Sequence, residues 1–232
     1  MFSQIAPRYD LLNHLLSFSL DHVWRRRAAK RFRRVLRRTE AHVLDLCCGT
    51  GDLTFALNRV REEAIRDRGA HRFPIVGCDF AQPMLQRARK KSLGQEHAAV
   101  FIAGDALRLP FQDETFDLVS SAFGFRNLAN YEQGLREIGR VLKPGGQVAI
   151  LEFSEPRGPA AAVFRFYFWR ILPLIGTAIS GSKEAYFYLP GSVAKFPSPS
   201  EIAALMLKSG FGEVKIVSWN FGSVVLHTAK KA

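Results

Sequence analysis

The chain has 232 residues and a formal net charge of +12, with 47% hydrophobic and 23% charged residues. This composition is typical of a globular protein with enough apolar material for a buried core, so we expect one folded domain. The cysteines, an adjacent pair at Cys47 and Cys48 plus Cys78, fit neither a disulfide framework nor the ligand spacing of a zinc site. We therefore expect free thiols and no metal.

The first forty residues are predicted to form a helical cap. Their leucines fall on one side of a helix, and Asp21 is expected to cap a second helix that carries Trp24. The first ten residues lack the basic start and apolar core of a signal peptide, so we expect a cytoplasmic protein.

Nine basic residues and no acidic one occur between Arg25 and Arg38. Such a cluster is typical of a solvated helix face or of a surface attracted to anionic lipid. A nucleic-acid partner is not expected, because no reading motif accompanies the charge and no aromatic residues are interleaved for base stacking. A solvated face and peripheral contact with the inner face of the membrane both stay open.

From residue 42 the pattern changes to strands that alternate with helices. The predicted strands are 42–47, 73–79, 98–105, 115–123 and 147–153, and the predicted helices are 52–69, 82–91 and 131–142, with a turn at "KPGG" (143–146). This alternation predicts βαβ units and a mostly parallel, doubly wound α/β sheet with helices on both faces.

The texture changes after Ser154. The aromatic-rich stretch 159–179 is rejected as a membrane span, because it contains Arg165, Arg170 and Pro173. It is expected either to pack in the core or to form an apolar wall for a ligand. The last part predicts a helix and two antiparallel strands, joined through "NFG", at one sheet edge.

We therefore predict a single domain over residues 1–232, with four parts. They are a helical cap (1–40), a cofactor-binding core (41–154), an aromatic lid insertion (155–198) and a C-terminal helix with strands (199–232).

The stretch "VLDLCCGTGDL", residues 43–53, predicts a strand that enters a tight turn and then a helix. Gly49 and Gly51 would let the backbone approach a ligand and expose N–H groups at the helix N-terminus. A dinucleotide fingerprint would have a third glycine where this chain has Thr54, and the P-loop ending G-K-[ST] is missing. The case for a bound pyrophosphate is therefore weak.

Three acids follow three successive predicted strands. Asp45 could accept hydrogen bonds from an ammonium group or orient the glycine turn, Asp79 could bind a ribose diol, and Asp105 could bind an exocyclic amine. Each could instead merely cap the following helix. Together they favour a ligand with an amino-acid end, a ribose and an adenine, as in S-adenosyl-L-methionine.

Here a family resemblance becomes specific. The stretches "VLDLCCGTGDLT", "CDF", "GDALRLPFQDETFDLV" and "LREIGRVLKPGG" resemble successive motifs of class I S-adenosylmethionine-dependent methyltransferases. More selectively, "RYDLLNHLLSFSLDHVWRR", "FGFRN", "LEFSEP" and "YLPGSVAKFPS" resemble the quinone C-methyltransferases of the demethylmenaquinone and ubiquinone pathways. The resemblance runs from about Ile5 to His227. It implies the class I methyltransferase (Rossmann-like) fold, S-adenosyl-L-methionine as cofactor and a polyprenylated quinol as substrate.

The resemblance also implies cofactor contacts at Thr54, Asp79, Asp105 and Ala106. Family members often have a serine where this chain has Ala122, so a hydroxyl contact there is not expected. The full set of expected cofactor-binding residues is Asp45, Gly49, Gly51, Thr54, Asp79, Phe80, Asp105, Ala106, Ser121 and Ala122.

Catalysis is expected to involve the "FGFRN" stretch. Methylation of a ring carbon requires an electron-rich quinol, which forms when a phenolic proton is lost. Arg126 stays protonated, so we expect it to stabilise the phenolate and to hold a water that takes the proton. Asn127 is expected to hydrogen-bond a ring oxygen, and Tyr9 to close the site. A structural ion pair remains the alternative role for Arg126, and His14 a further candidate base.

The function that this resemblance implies is C-methylation of demethylmenaquinol to menaquinol. A benzoquinol precursor of ubiquinone, 2-methoxy-6-polyprenyl-1,4-benzoquinol, and another small-molecule substrate stay open, as does a homodimer. The rivals from other classes are a dinucleotide-dependent oxidoreductase and a basic nucleic-acid-binding module. Thr54 in place of the third glycine argues against the first, and the acids at the strand ends argue against the second.

Overall fold

The computed structural model describes residues 17, 19–65, 73–93, 95, 99–156, 161–162, 166–167, 170 and 191–232. Its strands are β1 (Val43–Leu46), β2 (Val76–Asp79), β3 (Val100–Ala103), β4 (Phe116–Ala122), β5 (Leu142–Phe153), β6 (Lys215–Trp219) and β7 (Val224–Lys230). Its principal helices are α1 (Leu20–Arg31), α2 (Arg33–Leu36), α3 (Asp52–Ala64), α4 (Gln82–Ser92), α5 (Tyr131–Val141) and α6 (Pro199–Lys208). Short 3₁₀ helices follow β4 at Phe125–Asn127 and β6 at Asn220–Gly222.

Within the described residues, the strands form one seven-stranded sheet in the order β3-β2-β1-β4-β5-β7-β6. Strands β1 to β5 pair in parallel, whereas β7 pairs antiparallel with β5 and with β6. The predicted α/β fold, with its parallel core and antiparallel edge, is thereby confirmed. Because crossover helices cover both faces of a parallel sheet, β1 is buried along its whole length.

Apolar helix faces pack on both sides of the sheet. Trp24 of α1, Leu36 of α2 and Leu57 of α3 belong to one buried cluster. Leu135 of α5 and Met206 of α6 belong to a second. Full burial of side chains of this kind stabilises the fold by about 1.5–3 kcal/mol each, so apolar contact is the main force that holds the helices in place.

The start of α1 differs from the prediction. Asp21 does not cap the helix, because α1 begins at Leu20 and Asp21 lies within its first turn. The Asp21 carboxylate instead accepts a hydrogen bond from the Ser17 hydroxyl at 2.7 Å and pairs with Arg25 one turn later. It therefore fixes the Arg25 side chain.

The predicted turn at "KPGG" is also wrong, because these residues form a bulge inside β5. The pairing of β4 with β5 shifts register between Phe116 and Leu118. Gly145 adopts a φ of +70°, which a glycine tolerates, and its N–H donates to the carbonyl of Lys231 at 3.2 Å. The extra residues are thus paired to the C-terminal end of the chain rather than left in a free turn.

Some predictions cannot be compared with the structure. Tyr9, His14, Gly69 and most of the aromatic stretch lie outside the described residues. The helix α3, predicted to reach Gly69, ends at Ala64, since Ile65 has extended backbone angles. The four-part division of the domain stays a prediction. No described helix is both long and apolar enough to cross a membrane.

The loops that follow β1 and β4 touch each other directly. A Cβ atom placed on Gly124 would lie 2.4 Å from the Cβ of Cys47 and 3.1 Å from its carbonyl oxygen. Cys47 itself has a φ of +54°, so its backbone is already in an unfavourable region and cannot shift easily. The close approach of these two loops therefore requires glycine at position 124.

We expect Gly124→Ala to lower the free energy of unfolding by about 1–3 kcal/mol, because the added methyl group overlaps Cys47. Gly139→Ala on α5 is the matched control, since its Cβ would have no neighbour closer than 3.8 Å. That variant should be neutral or more stable by about 0.5–1 kcal/mol. Urea unfolding measures both, and equal midpoints for Gly124→Ala and the parent protein would contradict the close contact.

Candidate active site

A cavity of about 540 Å³ opens at the carboxyl ends of the parallel strands. This is the edge at which open α/β sheets bind their ligands. The predicted site residues that line it are Asp45, Gly49, Asp79, Phe80, Asp105, Ala106, Ala122, Arg126 and Asn127. The fold therefore gathers residues from four loops, which are far apart in the sequence, around one space.

Three further predicted residues do not line the cavity. Thr54 is fully buried, and its hydroxyl donates to Asp45 at 2.6 Å, so it orients that carboxylate without lining the cavity itself. Gly51, the residue before α3, has a φ of +89° and packs against Phe101. Ser121 is buried, because alternate side chains of β4 point to opposite faces and Ala122 is the one at the cavity.

Asp79 ties the turn after β1 to the turn after β2. Its Oδ2 accepts the N–H of Gly49 at 2.8 Å, and its Oδ1 accepts the N–H of Ala81 at 2.8 Å. Burial raises the pKa of this carboxyl, and the backbone hydrogen bonds oppose that rise. Each oxygen has a second lone pair, so the carboxylate can still accept hydrogen bonds from ligand hydroxyls.

Asp45 is a buried acid that lacks a full set of partners. Its Oδ2 accepts from Thr54, whereas its Oδ1 accepts no hydrogen bond from the residues that the structure describes. Burial raises the pKa of Asp45 to about 7, and the charge of nearby Arg25 acts in the opposite direction. A buried carboxylate with an unpaired oxygen is stabilised most by a ligand that carries an ammonium group.

The third acid has a different environment. Asp105 is exposed, and its Oδ1 accepts the N–H of Leu107 at 2.9 Å in a local turn. The next residue, Ala106, is buried against the cavity. Phe80, which also lines the cavity, is 81% exposed. A planar ring could pack on Phe80 while a polar edge of that ring meets Asp105.

Arg126 reaches the cavity from the 3₁₀ helix after β4. Its guanidinium Nη1 forms an ion pair with Glu152 at 2.9 Å and also donates to the carbonyl of Phe123. Its Nε donates to the hydroxyl of Ser192 at 3.3 Å, and its guanidinium lies over the ring of Phe153. The ion pair that we considered from the sequence is therefore present, and the same side chain also lines the cavity.

The part of the cavity beside Arg126 is aromatic. The ring centroids of Phe123 and Phe153 lie 4.5 Å apart, and the centroid of the Trp24 ring lies 6.1 Å from each of them. The guanidinium of Arg25 lies 5.2 Å from the centre of the Phe123 ring. The Trp24 indole N–H donates to Asn220 at 3.0 Å, which joins α1 to the loop between β6 and β7.

Sequence reasoning missed several of these lining residues. Phe123 and Phe153 belonged to quoted motifs but had no assigned role, and Arg25 was counted only as part of a basic cluster. No local signal could have found Asn220, because its loop is brought to the cavity by the antiparallel pair β6 and β7. The cysteines behave as expected: they are free, and burial raises the pKa of the Cys47 and Cys48 thiols.

Comparison with known proteins points to one family of methyltransferases. The model of the ubiE/COQ5 methyltransferase family matches residues 1–231. A demethylmenaquinone methyltransferase of Thermus thermophilus is 47% identical over 232 residues, which cover all of both chains. The ubiquinone/menaquinone biosynthesis C-methyltransferase UbiE of Geobacter sulfurreducens is 43% identical, over all of this chain and 87% of that protein.

A solved structure supports the fold. It is a SAM-dependent methyltransferase of Thermotoga maritima, described as a possible histamine N-methyltransferase, with a TM-score of 0.64 and 20% identity. The match covers 100% of this chain and 98% of that one.

The cavity residues fit S-adenosylmethionine, which is the cofactor of this class of fold. The unpaired Oδ1 of Asp45 suits the amino-acid part, the two carboxylate oxygens of Asp79 suit the ribose, and the Phe80 ring suits the adenine. With a family model matched over almost its whole length and relatives at this level of identity, the chain belongs to the ubiE/COQ5 methyltransferase family.

Proposed function

We propose that this chain methylates a ring carbon of a polyprenylated quinol and converts demethylmenaquinol to menaquinol. The observation that carries the proposal is a single cavity with two chemically different parts. One part presents Asp45, Asp79 and Asp105, and the other presents Arg126 among aromatic rings. The name of the Thermus thermophilus relative supports the choice of quinol.

The acid-lined part would hold the cofactor. Asp45 would accept from the ammonium group, Asp79 from the ribose hydroxyls, and Asp105 from the adenine amine beside Phe80. When bound, S-adenosylmethionine supplies an electrophilic methyl group on a sulfonium. Thr54 keeps Asp45 oriented, and the Gly49 N–H keeps Asp79 oriented.

The aromatic part would hold the quinol. Phe123 and Phe153 exclude water from the ring, and Asn127 is exposed at the cavity wall, where it can hydrogen-bond a ring oxygen. Arg126 stabilises the negative charge that develops on the quinol oxygen next to the reacting carbon. Because a guanidinium does not release its proton, the phenolic proton passes to water held near Arg126.

A benzoquinol substrate is the second candidate, because the Geobacter sulfurreducens relative is named for both quinone pathways. The test supplies purified protein and S-adenosylmethionine with one reduced short-chain quinol at a time, under anaerobic conditions. Methyl transfer to the demethylmenaquinol analogue and a much smaller kcat/KM for the benzoquinol are expected. Binding of the cofactor without transfer to either quinol would contradict the proposal.

We expect Arg126→Ala to lower kcat by about 100- to 1000-fold, because a preorganised donor to the developing charge is lost. Arg126→Lys should recover only part of this loss, since an ammonium group does not copy the planar fork of a guanidinium. Cofactor affinity, measured by calorimetry, should change little. Arg136→Ala is the control, because Arg136 is exposed on α5 and does not line the cavity. Near-parental turnover of Arg126→Ala would exclude the assigned role.

The affinity for S-adenosylmethionine should rise with pH, because the cofactor ammonium binds the ionised form of Asp45. With the Asp45 pKa at about 7, the ionised fraction rises roughly eightfold between pH 6 and pH 7.5, and the affinity should follow. The window lies below the pKa of an α-amino group, about 7.7–8.0, so the ammonium form of the cofactor predominates throughout it.

Asp45→Asn should bind the cofactor more weakly and with no such pH dependence. Without ligand, the raised pKa makes the folded state bind the proton more tightly than the unfolded chain, so the parent loses stability as pH rises towards 7. Asp45→Asn should remove that loss. The exposed Asp113, which pairs with Arg140 outside the cavity, gives the control Asp113→Asn. A pH-independent parental affinity would contradict the ammonium contact.

We also propose that α1 and α2 rest on an anionic membrane surface. Leu20 and Val23 are exposed at the start of α1, next to Asp21 and Trp24 at the cavity. Four exposed basic residues continue this stripe at helical spacing, namely Arg27, Lys30, Arg31 and Arg34. We call this stripe the basic face. Beyond α2, Arg38 pairs with Asp117 near the amino end of β4, which is the end of the strands away from the cavity.

This geometry makes contact with lipid useful for function. A membrane that covers the basic face would also lie beside the apolar start of α1 and the mouth of the cavity. A prenylated quinol could then enter without crossing water, while the basic residues bind anionic headgroups.

Replacing the basic face with glutamines should weaken co-sedimentation with anionic vesicles, because each basic residue contributes about 1 kcal/mol. Binding should also fall as salt is raised. The matched control removes four charges elsewhere, at Lys90, Lys195, Lys215 and Lys230, all of which are exposed. Equal losses for both quadruple variants would mean that net charge alone acts, and unchanged binding would mean that the basic face is only solvated.

A further inference from the structure

Glu152 is a buried acid that contacts Arg126. It lies near the end of β5, and 1% of it is exposed. Its Oε1 accepts the backbone N–H of Arg126 at 3.0 Å, and its Oε2 accepts from the guanidinium Nη1 at 2.9 Å. One carboxylate thus holds both the main chain and the side chain of the same residue.

This double contact fixes the guanidinium in two ways. The bond to the Arg126 N–H sets the 3₁₀ helix after β4 against β5, and the ion pair sets the direction of the side chain within it. The carbonyl of Phe123 and the hydroxyl of Ser192 add further acceptors around the guanidinium. The position of Arg126 at the cavity wall is therefore held by contacts with several neighbouring groups.

Glu152 does not itself line the cavity, whereas Arg126 does. A quinol in the aromatic part would meet the guanidinium and not the carboxylate behind it. Any influence of Glu152 on the reaction must therefore pass through Arg126, by its position and by its charge. A buried guanidinium without a partner would be costly, so the pair also keeps a cation available at this apolar wall.

We propose that Glu152 is the positioning residue of the methyl transfer: it holds the Arg126 guanidinium where the quinol oxygen acquires negative charge. The proposal rests on the proposed function, since it needs a phenolate at the cavity wall. A displacement of about 1 Å at such a group can cost about 100-fold in rate, which is the scale of effect that this clamp would prevent.

A second clamp in the same chain provides a control. Glu137 on α5 accepts the backbone N–H of Leu109 at 2.7 Å and forms an ion pair with Arg140 at 2.8 Å. Neither Glu137 nor Arg140 lines the cavity. Glu137→Gln removes the same kind of contact away from the site, so it should cost stability without lowering kcat.

The test is a double-mutant cycle on the full-length protein. Glu152→Gln should lower kcat at least about tenfold in the parent, with the KM for the quinol and the calorimetric cofactor affinity changed by less than about threefold. In an Arg126→Gln background the same substitution should change kcat by less than about twofold, because Glu152 no longer has the Arg126 guanidinium to position. Urea unfolding of all four proteins should show that the two substitutions are also non-additive in the free energy of unfolding.

If Glu152→Gln does not fold, Glu152→Asp replaces it, because aspartate keeps the charge but is too short to hold the guanidinium, and the same cycle applies. Equal losses of kcat in both backgrounds, a loss confined to KM, or an unchanged kcat would each overturn the role of Glu152. A parent protein that binds S-adenosylmethionine but methylates no quinol would overturn the proposed function and this assignment together. A parent that turns over while the cycle is additive overturns this assignment alone.

Discussion

The parallel pairing of β1 on both sides, with β2 and with β4, is the constraint on which the site depends. From β1 the chain moves outward to β2 and β3, and then crosses back to β4 and β5 on the other side. The loops after β1 and β4 therefore meet above the sheet, and the contact of Gly124 with Cys47 closes the gap between them. A cavity forms there because the neighbouring loops lead away in opposite directions.

The acids around this cavity are incompletely paired by the other groups that the structure describes. Asp45 is buried with one oxygen unpaired, and Asp79 is partly buried and satisfied mainly by backbone N–H groups. Neither is neutralised by a directly bonded lysine or arginine among the described residues. A ligand that is cationic at its amino end and rich in hydroxyl groups supplies what these carboxylates lack. The same features that select the ligand therefore reduce the stability of the protein without it.

The opposite arrangement holds at Arg126. There the charge is matched, because Glu152 and the surrounding acceptors satisfy much of the guanidinium before any substrate arrives. A matched pair is weak evidence for catalysis when considered alone, since buried ion pairs often have only structural roles. What distinguishes this pair is its location, with Arg126 at the cavity wall, Glu152 outside the lining and the Phe153 ring against the guanidinium.

The sequence by itself determined the alternation of strands and helices, the glycine turn after β1 and the acids at the strand ends, because these are local patterns with local physical causes. It also led to the family, through motifs such as "FGFRN". Only the tertiary structure decided that Thr54 turns away from the cavity and that "KPGG" is a bulge. It also paired Arg126 with Glu152 and brought Asn220 to Trp24. Those facts depend on contacts between residues far apart in the chain, such as the bond across 196 positions from Trp24 to Asn220, and no local pattern encodes them.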